Sequence, residues 1–185
     1  MLFVFAAPSG TGKTSIVKKI LAMNPDFVFS VSATTRTKRD NEIDGIDYYF
    51  ISKEDFEKKI KEGDFIEYEK VFNDNYYGTI KSITDENIEE NRNIVFDLDV
   101  KGAISIKRLY NNLAILIFIA PPDKLTVKNR LLNRGTENPE IIEKRLSRFD
   151  FEMGKINEFN FVVKNEDLEQ ATEEVQNIIL KYKSK

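Results

Sequence analysis

Apolar residues along this chain alternate between short continuous runs and longer segments in which they recur every three or four positions. A continuous run predicts a strand buried on both faces of a parallel sheet, and the spaced pattern predicts a helix with one apolar face. The predicted strands are the run that begins at Leu2 and residues 27–31, 94–98, 113–120 and 159–164. The predicted helices are residues 12–23, 80–90, 101–110 and 168–182. This alternation predicts an α/β fold with a central parallel sheet and helices on both faces.

A polar and aromatic segment, residues 32–79, interrupts this alternation. It contains strand-like pieces at residues 48–51 and 65–71, around a helix near residues 53–62 that Ser52 is placed to cap. We therefore predict a small inserted lobe.

The second interruption, residues 124–151, is rich in arginine. Its helical pattern breaks at residues 135–139, Gly-Thr-Glu-Asn-Pro, which predicts a hinged helical arm. The rest of the chain, about residues 1–31, 80–123 and 152–185, is then the core of a single domain, since 185 residues suffice for one α/β core with insertions.

The segment between the first strand and the first helix carries the clearest chemical signal. It reads Ala-Pro-Ser-Gly-Thr-Gly-Lys-Thr and follows the phosphate-loop template G-x-x-x-x-G-K-[ST], except that Ala7 replaces the first glycine and restricts φ there. Gly10 and Gly12 let backbone N–H groups turn toward phosphate oxygens at a helix N-terminus. Lys13 would reach the β- and γ-phosphates, and the Thr14 hydroxyl would ligate Mg²⁺. The alternative is an ordinary glycine-rich turn between a strand and a helix.

Composition narrows the possible chemistry and partners. The chain has no cysteine and no histidine, which excludes disulfides, thiolate nucleophiles, histidine acid–base catalysis and the usual zinc sites. With 28 basic and 31 acidic residues the net charge is −3, so we expect no nucleic-acid or membrane partner. No apolar run approaches the ~20 residues of a membrane span, and the strand at Leu2 leaves no room for a signal peptide, so a cytoplasmic protein is expected. The sequence carries no prediction of an oligomeric state.

Short segments elsewhere join the loop in a shared order and spacing. They are residues 7–14, 29–39, 45–50, 65–68, 75–79, 96–102, 118–122 and 133–136. On these segments the chain resembles the guanylate kinases along essentially its whole length. The resemblance implies a P-loop NTPase three-layer sandwich, in which residues 32–79 are the GMP-binding lobe and residues 124–151 the lid. It also implies transfer of the γ-phosphoryl group of ATP to GMP or dGMP, assisted by Mg²⁺, in a closed site that excludes water.

Two arginines in the turn Thr-Thr-Arg-Thr-Lys-Arg, Arg36 and Arg39, present forked guanidiniums that could clamp a monophosphate. The phenols of Tyr48 and Tyr77 would complete the clamp. The resemblance assigns all four residues to the GMP phosphate. The alternatives are a solvated polar loop for the arginines and core packing for the tyrosines.

A guanine edge offers N1–H and N2–H₂ donors, which suit a carboxylate. The resemblance assigns this role to Glu67, with Ser32, Thr79 and Asp99 in the same pocket. Such buried partners discriminate strongly between bases. Many family members carry serine at the position of Thr79, so the hydroxyl is kept and a methyl is added. The alternative for Glu67 is a strand residue in an ion pair with Lys70.

Asp97 ends an apolar strand and would hold Mg²⁺ opposite Thr14, although a helix cap is the alternative. Lys13 would act with lid arginines on the transferring phosphates, and the resemblance favours Arg134 and Arg145. For Arg130 and Arg148 a solvated helix face is an equal alternative. The ATP-binding residues implied are Pro8, Ser9, Gly10, Thr11, Gly12, Lys13, Thr14, Ser15, Arg134 and, near the adenine, Asn165.

Two other functions remain open at this point. Guanylate-kinase-like domains of scaffold proteins bind phosphopeptides and have lost much of the phosphate loop, whereas Gly10, Gly12, Lys13 and Thr14 are present here. A kinase for another nucleoside monophosphate, or a general P-loop ATPase, is opposed by Glu67 together with Ser32 and Asp99. Fold alone cannot separate these functions, so the choice depends on the site residues.

Overall fold

The computed structural model describes residues 1–70, 74–133 and 139–183. Its strands are β1 (Leu2–Ala6), β2 (Val28–Phe29), β3 (Ala33–Thr34), β4 (Tyr49–Phe50), β5 (Phe65–Lys70), β6 (Tyr76–Ile80), β7 (Ile94–Asp97), β8 (Ala114–Ala120) and β9 (Phe161–Lys164). Its helices are α1 (Lys13–Met23), α2 (Lys53–Glu62), α3 (Lys81–Glu89), α4 (Val100–Tyr110), α5 (Lys124–Asn133), α6 (Pro139–Met153) and α7 (Leu168–Tyr182).

The central sheet has five parallel strands in the order β2-β7-β1-β8-β9. Alternate residues of β1 face opposite layers. Phe3 and Phe5 pack with residues of α1 and α7, whereas Leu2 and Val4 pack with residues of α4. Both faces of the sheet are therefore covered, which explains why β1 and β8 are continuous apolar runs. The predicted three-layer α/β fold is confirmed.

The ends of the elements follow from local chemistry. The closing helix α7 has the predicted bounds and begins after Asp167, whose side chain accepts hydrogen bonds from the backbone N–H groups of Glu169 and Gln170. Ser52 caps α2 as predicted, because its hydroxyl accepts a 3.0 Å hydrogen bond from Asp55 N. The other predicted helices and strands of the core differ from the observed ones by one or two residues at one or both ends.

A second, four-stranded sheet lies in the segment predicted as an inserted lobe, in the order β4-β3-β6-β5. It is mixed, since β3 is parallel to β4 and antiparallel to β6. Phe56 of α2 is buried against it and stacks on Phe65 at a centroid distance of 4.2 Å. The sequence prediction missed β3 and β6. Of the strand predicted at residues 65–71, residue 71 lies outside the described part of the chain.

Helices α5 and α6 form the arm predicted at residues 124–151. Val127 and Leu131 of α5 pack with Phe149 of α6. Leu131 also packs against the loop after β1, because a Cβ placed on Gly10 would lie 3.1 Å from its Cγ. Residues 134–138, which include most of the predicted break, lie outside the described residues. In the described ranges, no helix is both long enough and apolar enough to cross a membrane.

Candidate active site

The loop between β1 and α1 takes its shape from two glycines. Gly10 and Gly12 have φ values of 86° and 90°, a left-handed conformation that side chains disfavour. Ala7 does not have a positive φ, and its side chain, 7% exposed, packs in the core beside Phe3 and Phe5. The departure from the loop template at Ala7 therefore imposes no backbone strain.

Lys13 and Thr14 meet Asp97 at the carboxyl ends of two neighbouring parallel strands. The Lys13 ammonium lies 2.5 Å from Asp97 Oδ1 and also donates to the backbone carbonyl of Leu98. The Thr14 hydroxyl donates a 3.1 Å hydrogen bond to Asp97 Oδ2. Lys13 and Thr14 thus lie beside Asp97, as predicted, although Asp97 is more than eighty positions away in the sequence. They meet because β1 and β7 are paired in register up to Phe5 and Asp97.

The helix-cap alternative for Asp97 is wrong, because Asp99 caps α4. Its Oδ1 accepts a 2.8 Å hydrogen bond from Gly102 N. Asp97 is thus left beside Thr14, and a carboxylate and a hydroxyl are the oxygen ligands that Mg²⁺ takes. Among the described residues no group of three or more acidic side chains could hold a metal by itself. The pair fits a magnesium ion that is also held by nucleotide phosphates and water.

Asn165 holds the backbone of the loop between β1 and α1. Its buried side-chain amide donates a 2.6 Å hydrogen bond to the carbonyl of Thr11. A Cβ on Gly12 would lie 2.5 Å from the same amide nitrogen, so glycine is needed there for space as well as for φ. The structure therefore places Asn165 against the loop backbone, and its proximity to an adenine stays a prediction.

Arg36 lies at the centre of a polar cluster in the small sheet. Its Nε donates to the Tyr77 hydroxyl at 3.1 Å, and its Cζ lies 5.5 Å from the centre of the Tyr48 ring. Its Nη1 and Nη2 donate to the two carboxylate oxygens of Glu42 at 3.0 and 2.6 Å. Arg39, whose side chain is 71% exposed, lies 4.0 Å from the same carboxylate. Three of the four predicted phosphate ligands thus lie together, and Arg39 lies at the edge of the group.

Glu42 is a member of this cluster that was not predicted from the sequence. Its hydrogen bonds from Arg36, and then from the backbone of Arg39, lower its pKa to about 2. Glu42 in turn raises the pKa of Arg36. Burial raises the pKa of the Tyr48 phenol. The cluster therefore keeps a charged guanidinium beside the phenol of Tyr48.

The predicted base-pocket carboxylate, Glu67, points at Thr79. The Thr79 hydroxyl donates a 2.7 Å hydrogen bond to Glu67 Oε1, and the two residues are paired across β5 and β6. Gly102 leaves room for this carboxylate, since a Cβ there would lie 3.3 Å from Glu67 Oε2. Burial raises the pKa of Glu67 to about 7, although the Thr79 hydrogen bond opposes the rise. The Lys70 alternative is wrong, because that ammonium pairs with Asp74 at 3.0 Å.

Ser32, the remaining predicted member of this pocket, precedes β3. Its backbone carbonyl accepts a 2.9 Å hydrogen bond from Tyr49 N. This bond fixes the start of the small sheet, and a contact of the Ser32 hydroxyl with a base stays a prediction.

Arg148 of α6 joins the arm to both sheets. Its Nη2 lies 3.1 Å from Asp99 Oδ2 and 3.5 Å from Glu69 Oε1, and its Nε lies 3.8 Å from Glu152 Oε1. The Glu152 side chain is only 8% exposed, and its Oε2 has no hydrogen-bond partner among the described residues. Burial raises the pKa of Glu152 to about 7. No role was predicted for Glu69 or Glu152. Arg148 is 45% exposed and also pairs with Asp99, so a contact of its guanidinium with phosphates stays a prediction.

Two cavities connect these groups. One, of about 310 Å³, is lined by the loop at residues 7–15 and by Asp97, Arg148 and Glu152. The other, of about 330 Å³, lies between β5 and α4 and is lined by Glu67 and Gly102, among others. Glu69 and Asp99 line both cavities. Arg134 and the side chains of Arg130 and Arg145 lie outside what the structure describes.

The chain is similar to known proteins over essentially its whole length. The sequence matches the family model described as guanylate kinase over residues 1–182. The guanylate kinase of Bacteroides thetaiotaomicron is 41% identical over 184 residues, covering 100% of this chain and 90% of the relative. That of Thermotoga maritima is 42% identical, with coverage of 100% and 88%. The crystal structure of guanylate kinase from Anaplasma phagocytophilum aligns with a TM-score of 0.78 at 28% identity, covering 100% of this chain and 87% of that one.

Proposed function

This chain belongs to the guanylate kinase family of nucleoside monophosphate kinases, and on that premise we propose that it transfers the γ-phosphoryl group of ATP to GMP and to dGMP. The observation that carries the proposal is that two cavities lie side by side and share Glu69 and Asp99 as lining residues. One contains a phosphate loop with Lys13, Thr14 and Asp97, and the other contains the buried carboxylate of Glu67. A triphosphate site and a base site in contact are what a transfer between two nucleotides requires.

On the donor side, ATP binding would separate Lys13 from Asp97, which form an ion pair in the free protein. Lys13 and Asp97 lie 2.5 Å apart, and a bound triphosphate offers Lys13 a stronger anionic partner. Asp97 and Thr14 would then hold Mg²⁺, which supplies charge neutralisation for the phosphates. The positive φ of Gly10 and Gly12 supports backbone N–H donation to the phosphates.

On the acceptor side, the cluster of Arg36, Tyr48 and Tyr77 would bind the GMP phosphate, with Arg39 joining from its exposed position. Glu67 would accept hydrogen bonds from the guanine N1–H and N2–H₂ groups. Burial raises the pKa of Glu67 to about 7 in the free protein, and hydrogen bonds from the guanine donors would favour its ionised form.

The transfer itself needs little covalent help from the protein. A GMP phosphate oxygen is the nucleophile, and the contributions of the chain are in-line positioning and neutralisation of the developing charge. We assign these tasks to Lys13 and, as a prediction, to Arg134 and Arg145. Residues 32–79 would act as the GMP lobe and residues 124–151 as a lid whose closure excludes water.

The test is release of ADP from ATP and Mg²⁺ in the presence of GMP, dGMP, AMP, CMP, UMP or dTMP. We expect release only with GMP and dGMP, and its loss in Lys13→Ala. Lys18→Ala is the matched control, because Lys18 lies on the same helix with an exposed side chain. Turnover with another monophosphate would refute the base assignment. GMP or phosphopeptide binding without turnover would indicate a scaffold-type domain instead.

A further inference from the structure

Glu42 forms a bidentate ion pair with Arg36. Arg36 is the arginine to which the proposed function assigns the GMP phosphate. Its side chain is 11% exposed and that of Arg36 is 17% exposed, so the pair is largely shielded from water. We propose that Glu42 is a positioning residue for the acceptor phosphate: it holds Arg36 by one edge and thereby presents the other edge, with the Tyr77 hydroxyl, to GMP. This inference rests on the proposed function.

The hydrogen bonds of the Arg36 guanidinium show which edge is left for a ligand. Glu42 takes one N–H of Nη1 and one of Nη2, which is the end of the fork. The second Nη1–H donates to the carbonyl of Thr37 at 2.8 Å, and Nε donates to Tyr77. Of the five N–H donors of an arginine, the one left over is on Nη2, on the same edge as Nε.

The Tyr77 hydroxyl extends this remaining edge. Because its oxygen accepts from Arg36 Nε, its own hydrogen is oriented toward another acceptor. A phosphate placed at this edge receives one hydrogen bond from Nη2 and one from the phenol. Tyr48 closes one side, since its ring lies 5.6 Å from the Tyr77 ring in an edge-to-face arrangement. Arg36 Nη2 and the Tyr77 hydroxyl thus form a preformed anion-binding site, and its orientation depends on Glu42.

Glu42 is itself held by the turn that it stabilises. Its Oε2 accepts a 2.8 Å hydrogen bond from Arg39 N, and its own backbone N–H donates to Arg39 O at 3.1 Å. Its carbonyl accepts from Lys38 Nζ at 2.9 Å. One carboxylate thus fixes both the guanidinium of Arg36 and the backbone that carries Arg39. Removal of its charge would free both arginines together.

The opposing explanation is that Glu42 only occupies the place of the phosphate and must be displaced by it. The two explanations predict opposite signs. If Glu42 positions Arg36, then Glu42→Gln raises the KM for GMP, because an amide offers one oxygen acceptor and sets an N–H₂ group against a guanidinium nitrogen. If Glu42 competes with phosphate, the same variant lowers the KM for GMP.

The experiment compares Glu42→Gln with Asp40→Asn. Asp40 is an exposed acid in the same turn, and its variant removes the same charge without touching Arg36. We expect Glu42→Gln to raise the KM for GMP about tenfold, with the KM for ATP within twofold of the wild-type value. Asp40→Asn should leave both constants unchanged or lower the KM for GMP slightly, since a less negative turn attracts phosphate. A fall or no change in the KM for GMP in Glu42→Gln overturns the inference.

A binding measurement separates positioning from general damage to the lobe. Guanosine lacks the phosphate, so its inhibition constant against GMP should be the same in Glu42→Gln and the wild-type protein, whereas GMP binding by calorimetry weakens about tenfold. Equal weakening of both ligands would show a structural role only and overturn the inference. If the wild-type protein binds GMP without turnover, the proposed function fails, and the calorimetric comparison still decides the role of Glu42. Glu42→Asp provides a second variant should the glutamine variant not fold.

Discussion

Glu67 Oε1 accepts a 2.7 Å hydrogen bond from the Thr79 hydroxyl across the antiparallel pair β5 and β6. The partner orients the carboxylate while burial raises its pKa to about 7. Burial of this acid therefore costs the native protein stability at any pH at which the unfolded chain would ionise it. The proposed role of Glu67 in guanine binding and the stability of the protein would then oppose each other at this position.

That opposition predicts the behaviour of Glu67→Gln. We expect kcat/KM for GMP to fall about a hundredfold, because the amide N–H₂ meets the donors of the guanine edge. At pH 8 we expect the free energy of unfolding to rise by about 1–2 kcal/mol, because no charge is buried. Steady-state kinetics and urea unfolding measure the two effects. Glu54→Gln, which changes an exposed carboxylate in the first turn of α2, should leave both unchanged.

The pH dependence of stability follows from Glu67 and Glu152. Both keep their protons up to a pH of about 7 in the native protein, whereas the ordinary value in the unfolded chain is 4.5. Between these values the native state holds more protons, so the free energy of unfolding decreases as pH rises. We expect a loss of about 1–3 kcal/mol between pH 5 and pH 8.

Urea unfolding of the wild-type protein and of the double variant Glu67→Gln/Glu152→Gln tests this dependence. The double variant should be nearly as stable at pH 8 as at pH 5. Glu42, whose pKa is lowered to about 2, contributes its own pH dependence below this range. A wild-type protein that is more stable at pH 8 than at pH 5 would contradict the prediction.

Ala7→Gly tests whether the alanine at the first loop position matters for nucleotide binding. Since Ala7 has no positive φ and packs in the core, glycine relieves no strain. We expect the KM for ATP to stay within twofold of the wild-type value. Stability should decrease by about 0.4–1 kcal/mol, because glycine has more freedom in the unfolded chain. A clear tightening of ATP binding, measured by calorimetry, would show that Ala7 strains the loop.

Asn165→Asp tests the support of the loop by the residue that follows β9. The carboxylate keeps the size of the amide but loses the N–H donor and faces the carbonyl of Thr11. We expect stability to fall by about 1–3 kcal/mol and the KM for ATP to increase, because the buried carbonyl loses its partner and the loop shifts. Asn160→Ala is the control. It removes the acceptor of Leu116 N, a bond at the far end of β8, so it should lower stability with the KM for ATP unchanged.

Local patterns explain which parts of the site were predictable. The loop around Lys13 is a run of neighbouring residues, and its function depends on backbone conformation that the glycines themselves specify. Asp97 was predictable because a parallel strand must bring its carboxyl end to the same edge as β1. The small strands β3 and β6 were missed, because two residues in one case and a glycine-containing run in the other carry too little periodicity.

The contacts of Glu42 and Glu152 could not be predicted from any local pattern in the sequence. Glu42 lies in a polar stretch and Glu152 lies between Phe151 and Met153, and for an acidic residue a solvated carboxylate is the usual outcome. Their roles come from a bidentate contact with Arg36 and from burial beside Arg148. Neither contact is implied by residue type or spacing, since each depends on the direction of a long side chain in the folded protein.

The sequence by itself determined the α/β class, the alternation of the core elements, the phosphate loop and the family of the chain. These properties are written in contiguous residues, because burial on a strand or helix and the conformation of a tight loop are local constraints. The tertiary structure decided that Asn165 supports Thr11 from 154 residues away and that Arg148 joins the arm to Asp99. Such contacts depend on the order of the strands and on the packing of helices over them. The periodicity of apolar residues along a chain predicts neither.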